Sequence, residues 1–174
     1  SAEVEKLYST ETSLNKGKQL INYHFEYIRS FTLDMFTSNE EKAILAQGEL
    51  LSTALFHFYL EEIQVKSVLL PALNFMRIDE NEEPDLIYIE KNIKQELAKY
   101  PGENLFITQG YICRNSFGEI DNLKRGGSDY TASLIGAAIN ASEVQIWTDI
   151  DGMHNNDPRI VNKTHPIHEL SFDE

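Results

Sequence analysis

IYIEKNIKQELAKYPGENLFIT, residues 87–108, decides the fold. Ile89, Ile93 and Leu97 recur at helical spacing, and Pro101-Gly102 stops the run. Leu105-Phe106-Ile107-Thr108 then reads as a short strand of the buried type. Upstream, Val65 to Leu70 is a β-branched, mostly apolar run closed by Pro71, a second strand. Strands alternating with helices of this length favour a mainly parallel sheet covered on both faces. The expected fold class is therefore α/β.

Outward from this unit the pattern continues. Between Leu20 and Met35, Ile21, Phe25, Ile28 and Met35 mark one face of a helix, with His24 and Phe31 beside them. Ser38, followed three residues later by Glu41, predicts a capping box. The helix it opens should run to about Glu62 through Leu45, Leu51, Leu55 and Phe58. Asn81 to Pro84 is loop-like, and Asn115 to Gly127 reads as a glycine-containing loop. Asp129 to Asn140 should be a helix with Ala132, Ile135, Gly136 and Ile139 on one face. Val144 to Thr148 predicts another strand, and the chain after Asp149 is loop-rich. Residues 1–62 are thus expected to form a helical region and residues 63–174 an α/β region.

Composition narrows the function. The 174 residues carry 28 acidic and 15 basic side chains, a net charge of −13. Without clustered Lys and Arg such a chain is a poor ligand for nucleic acid or an anionic membrane surface. Its one cysteine, Cys113, permits no intrachain disulfide and no cysteine zinc cage, which favours a cytoplasmic location. No apolar run approaches the roughly 20 residues that span a bilayer. The opening Ser1-Ala2-Glu3-Val4 lacks a secretory leader pattern. His24, His57, His165 and His168 show no tight ligand spacing, so no protein-held metal is expected.

Three segments carry chemistry. LKRGGSDYT, residues 123–131, joins two basic side chains to a Gly-Gly turn and a helix start. Ser128 or Asp129 can cap that helix, whose first turn suits an anion. The same residues also make an ordinary turn and cap. WTDIDGMHNNDPR, residues 147–159, ends a strand in Thr148-Asp149 and adds Asp157-Pro158-Arg159. Such groups suit ribose and phosphates, and equally a plain polar loop. Gln47-Gly48-Glu49 places a glycine inside a predicted helix. Either something approaches there, or the helix begins there, or Glu49 simply faces solvent.

In order, QGE at 47–49, TQGYI at 108–112, LKRGGSDYTASL at 123–134 and VQIWTDIDGMHNNDPRIV at 144–161 resemble the aspartokinases of the amino acid kinase family. The likeness runs from about Leu45 to the C-terminus. The DG and DPR elements are shared with glutamate 5-kinase and related enzymes, whereas GGSDYTA with QGE selects aspartokinase. The resemblance implies a three-layer α/β/α fold with a mainly parallel open sheet. It implies transfer of the γ-phosphoryl of ATP, bound with Mg2+, to the side-chain carboxylate of L-aspartate. That is the first step of lysine, threonine and methionine biosynthesis. Glu49 would hold the substrate ammonium. Arg125, Gly126, Gly127 and Ser128 would bind its carboxylate end, and Asp129 would be the catalytic residue that organises the catalytic lysines and helps position the reacting groups. Thr148, Asp149, His154 and Arg159 would line the nucleotide site. A homo-oligomer is expected for the full-length protein.

Departures from the family pattern accompany the likeness. Asp121 and Asn122 stand where the family has two threonines, Lys124 where it has a glycine, and His154 where many relatives have tyrosine. The family's opening KFGGTS motif, its second nucleotide-site lysine and its regulatory ACT domains have no counterpart in the sequence. The chain is therefore expected to be a truncated catalytic domain, inactive alone. Two other readings are a kinase of the same family acting on another small carboxylate, and a non-catalytic α/β binding or assembly module.

Overall fold

The computed structural model describes residues 2–31, 36–124, 126–148, 152–157 and 159–171. The chain forms two compact units, Ser1–Val144 and Gln145–Glu174.

The first unit begins with three helices, α1 (Ala2–Leu7), α2 (Glu11–Ser30) and α3 (Ser38–Glu62). The predicted capping box forms one residue earlier than expected. Thr37 is the cap: its side chain accepts from the Asn39 N–H, and Glu40 accepts from the Thr37 N–H at 2.9 Å. Thr37-x-x-Glu40 is the same motif in the neighbouring register, with the side chains satisfying N-terminal donors reciprocally. The buried stripe of α2 also differs from the expected one. Ser13, Gly17 and His24 are buried, while Phe25 is 60% exposed and Met35 lies outside the described residues. Small residues win because the helices approach closely. A Cβ at Gly17 would sit 2.6 Å from the Tyr8 ring.

Gln47 turns out to be a packing residue. Its Oε1 lies 2.7 Å from His24 Nδ1, and its Nε2 donates to the Ala43 carbonyl at 2.7 Å. Both side chains are buried. Because the amide oxygen can only accept, His24 must carry its proton on Nδ1. Gln47→Ala strands that buried N–H and is expected to destabilise the protein by about 2 kcal/mol, read from urea unfolding.

The α/β part follows. Strand β1 (Val68–Leu70) pairs in parallel with β2 (Phe106–Thr108), in the register Val68 to Phe106 and Leu70 to Thr108. Between them runs α4 (Leu86–Ala98), capped by the Asp85 carboxylate, which accepts from the Tyr88 N–H at 3.0 Å. This is the expected strand–helix–strand unit. A hairpin, β3 (Ile112–Arg114) with β4 (Ile120–Asn122), occupies part of the stretch read as a loop. Its second strand, Ile-Asp-Asn, lacks the apolar alternation that signals a strand. Helix α5 (Gly127–Ala138) closes the unit and packs on α4. It starts two residues before the expected Asp129, and Ile139 is 40% exposed, so its buried face centres on Thr131, Leu134 and Ala138.

The core gathers Leu70, Phe75, Met76, Ile89, Ile112 and Leu134, with Cys113 fully buried among them. Burial and the nearby Asp121 push the Cys113 thiol up to about 12, so it packs as a small apolar residue. The chain is thus α/β, with helices flanking a parallel pair. No helix among the described residues is long and apolar enough to cross a membrane.

The predicted strand Val144 to Thr148, which begins on the last residue of the first unit, does not form: residues 144–148 join no strand ladder among the described residues. Local β-propensity makes a strand only where a neighbour supplies ladder hydrogen bonds. The loop instead doubles back on itself. His154 and Pro166 form an antiparallel bridge, and the Ile167 N–H donates to the Met153 carbonyl at 2.7 Å.

Candidate functional site

Helix α5 needs its N-terminus at one spot, and glycines put it there. Gly126 caps the helix in the left-handed region, φ 75°, with no side-chain cap bond. The expected caps, Ser128 and Asp129, therefore sit inside the first turn. Helix geometry leaves their N–H groups without an acceptor in the helix, and both residues are exposed. Gly127 is buried: a Cβ there would lie 2.9 Å from the Tyr111 ring and 3.2 Å from its Cα. Reciprocally, a Cβ at Gly110 would lie 3.0 Å from the Ser128 Cα. The Gly110-Tyr111 turn beyond β2 thus seats directly on the helix start.

Hydrogen bonds fix that seat. The Tyr111 N–H donates to Thr131 Oγ1 at 3.1 Å, and Thr131 in turn donates to the Gly127 carbonyl at 2.7 Å. Gln109, 2% exposed, accepts from the Ala72 N–H at 2.8 Å and donates to Thr53 Oγ1 at 2.8 Å. The Thr53 hydroxyl in turn donates to the Glu49 carbonyl at 2.7 Å. One relay therefore connects the sheet end to the turn of α3 that carries Glu49. Sequence reading placed Gln109 in TQGYI and Thr131 in LKRGGSDYTASL, but gave neither these two nor Thr53 a bonding role. The signal available was an amide side chain directly after an apolar strand.

The result is an open cavity of ≈ 380 Å³ lined by Glu49, Tyr111, Lys124, Gly126, Gly127, Ser128 and Asp129. It unites the QGE and GGSD segments. Arg125 and Asp149 lie outside the described residues. Glu49 is half-buried, so it is not simply a solvated face residue. Gly48 neither starts a helix nor receives a close neighbour, since nothing lies within 4 Å of a Cβ placed there. Gly48→Ala is expected to raise stability by about 0.5–1 kcal/mol through helix propensity alone, checked by thermal melting.

Tyr111 and Lys124 border the cavity in left-handed backbone, at φ 68° and 63°. For non-glycine residues this costs roughly 1–2 kcal/mol each. The Lys124 side chain reaches away to Glu82 at 2.6 Å, and that hydrogen bond holds its ammonium above the ordinary lysine range. The other departures have structural partners. Asp121, opposite Cys113 in the hairpin, pairs with Lys42 at 2.6 Å, and Asn122 Oδ1 accepts from the Lys124 N–H at 3.0 Å.

In the second unit, His154 Nδ1 lies 2.9 Å from Thr164 Oγ1. Arg159 forks onto Asp157, with Nε to Oδ1 at 3.0 Å and Nη2 to Oδ2 at 2.8 Å. That fork lowers the Asp157 carboxyl to about 2. Thr148 is exposed.

The sequence matches the model of the amino acid kinase family over residues 4–174. The chain belongs to the amino acid kinase family. It is similar to lysine-sensitive aspartokinase 3 of Escherichia coli (strain K12), at 38% identity over 134 residues, covering 75% of this chain and 30% of the relative. It is also similar to the aspartokinase of Chlamydia trachomatis, at 35% identity over 158 residues, covering 87% and 34%. Among solved structures, E. coli aspartokinase III with aspartate and ADP (R-state) matches with a TM-score of 0.81 at 30% identity, over 94% of this chain and 37% of that one. The same enzyme with lysine and aspartate (T-state) gives 0.77 at 34%, over 90% and 37%. This amino acid kinase chain thus spans about a third of the length of those relatives.

Proposed function

We propose that the protein carrying this chain is an aspartate kinase. It transfers the γ-phosphoryl of MgATP to the side-chain carboxylate of L-aspartate, giving 4-phospho-L-aspartate. A carboxylate oxygen attacks the γ-phosphorus, and ADP departs with the electron pair of the broken bond. The observation that carries this reading is the shared cavity, in which Glu49 faces the same space as the first turn of α5. One end offers a carboxylate to an ammonium group. The other offers backbone N–H groups and a helix dipole to carboxylates. An amino acid with an acidic side chain fits that pair of ends.

By resemblance, Glu49 holds the substrate ammonium. Arg125, Gly126, Gly127 and Ser128 hold its carboxylate end, and Asp129 orients the reacting groups. Thr148, Asp149, His154 and Arg159 receive the nucleotide. The fork on Asp157 leaves other Arg159 N–H donors over for an anion. Among the described residues no three His, Cys, Asp or Glu side chains gather as a metal cage. Magnesium would come bound to the ATP phosphates and neutralise charge there. Phosphoryl transfer asks the protein chiefly for positioning and charge neutralisation, which a rigid turn-and-helix seat supplies. The proposal extends to a homo-oligomeric cytoplasmic enzyme at the entry to lysine, threonine and methionine synthesis.

Hydroxylamine trapping tests the substrate. The full-length protein with MgATP should form aspartyl hydroxamate from L-aspartate and little from L-glutamate. Preference for glutamate would move the assignment to another carboxylate kinase of the family.

A further inference from the structure

We propose that Lys124 is a ligand-holding residue of the cavity, which rests on Glu82 in the free protein and shifts its ammonium to a substrate carboxylate on binding. The inference rests on the reading that this cavity takes L-aspartate. Three observations carry it.

The first is charge. Glu49 and Asp129 are both carboxylates, and Lys124 is the cation among the described side chains that line the space. A dianionic side-chain and main-chain carboxylate pair needs positive charge beside them. The second is backbone strain. Lys124 holds φ 63°, a conformation that glycine adopts freely and lysine does not. Its ion pair with Glu82 is exposed on both sides, 71% and 61%, and such pairs add little stability. The fold therefore gains little from lysine here, and strained residues of this kind gather at ligand sites. The third is the resting place. Glu82 itself sits at φ 63° in a tight turn. The Asp79 carboxylate accepts the Asn81 and Glu83 N–H groups at 2.8 and 3.0 Å, so the turn presents Glu82 at a fixed place. An exposed pair on one side and an anionic ligand on the other make Lys124 a movable point charge.

Isothermal titration of L-aspartate into the full-length protein, with melting temperatures of the same samples, tests this. Lys124→Gly should raise Kd about tenfold while raising Tm by roughly 3 °C, because affinity and strain are lost together. Lys124→Arg should stay within about threefold of wild type. Glu82→Gln should lower Kd about threefold by removing the competitor. Glu49→Gln reports on the cavity itself and should weaken binding in any case. A Lys124→Gly protein with unchanged Kd, or a Glu82→Gln protein that binds more weakly, overturns the role of Lys124 while the Glu49 result leaves the aspartate reading standing. Weaker binding with a lowered Tm in Lys124→Gly overturns it too, since lysine would then support the fold. Absence of aspartate binding by wild type overturns both readings.

Discussion

Asp129→Asn is expected to lower kcat for aspartate phosphorylation by about a thousandfold in the full-length protein, with the fold intact. Asp129 is exposed in the first turn of α5, and its carboxylate faces the cavity rather than the core. Among the described residues, its main-chain carbonyl accepts from the Ser133 hydroxyl at 3.0 Å, a bond that asparagine leaves in place. Asparagine keeps the shape and removes the charge. The structural loss is then limited to the favourable interaction of an acid with the helix N-terminus, less than about 1 kcal/mol. A large kinetic loss beside so small a stability change separates a charge used in phosphoryl transfer from one used in folding. Steady-state kinetics and thermal melting on the same preparation supply both numbers. Equal activity of Asp129→Asn and wild type would remove this residue from the chemistry.

Gly110→Ala is expected to reduce kcat/KM about a hundredfold while destabilising the protein by roughly 1–3 kcal/mol. The added Cβ would stand 3.0 Å from both the Cα and the Cβ of Ser128, and 2.9 Å from its Oγ. A backbone atom of a helix start cannot rotate away as a side-chain tip can, so α5 must shift. Ser128 and Asp129 move with it, while Glu49 stays on α3. The two ends of the cavity then lose their mutual distance, and positioning is what phosphoryl transfer needs. Gly48→Ala is the matched control: it lies one residue from Glu49, has open space around it, and should leave kcat/KM unchanged.

Much of this was legible in the sequence because it was local. The helix from Leu86 to Ala98, its stop before Pro101-Gly102 and the two flanking strands follow from apolar spacing and chain breakers. Gly-Gly before an acidic helix start marked the anion-suited turn. What failed depended on partners. Val144 to Thr148 has strand composition but joins no ladder among the described residues, while Ile120 to Asn122 lacks it and pairs with Ile112 to Arg114. The α2 face moved from Phe25 toward Ser13 and Gly17 because close approach rewards small residues, a fact about the neighbour, while His24 is buried against Gln47. Gln47 looked like part of a binding motif and serves to hold His24. The Gln109-Thr53-Glu49 relay joins distant segments, so no spacing rule announces it.

The net charge of −13 takes on a different meaning at the site. It disfavours polyanionic partners, whereas the proposed aspartate site would draw on the α5 N-terminus and on Lys124 to offset the carboxylates that line the cavity.

Amide chemical-shift mapping of L-aspartate binding to the full-length protein tests the central claim most directly. The account predicts saturable shifts at Glu49 and at Gly126 to Asp129 together, weakened in Glu49→Gln. Shifts confined to other surfaces, or at one of these segments without the other, would contradict a shared aspartate site.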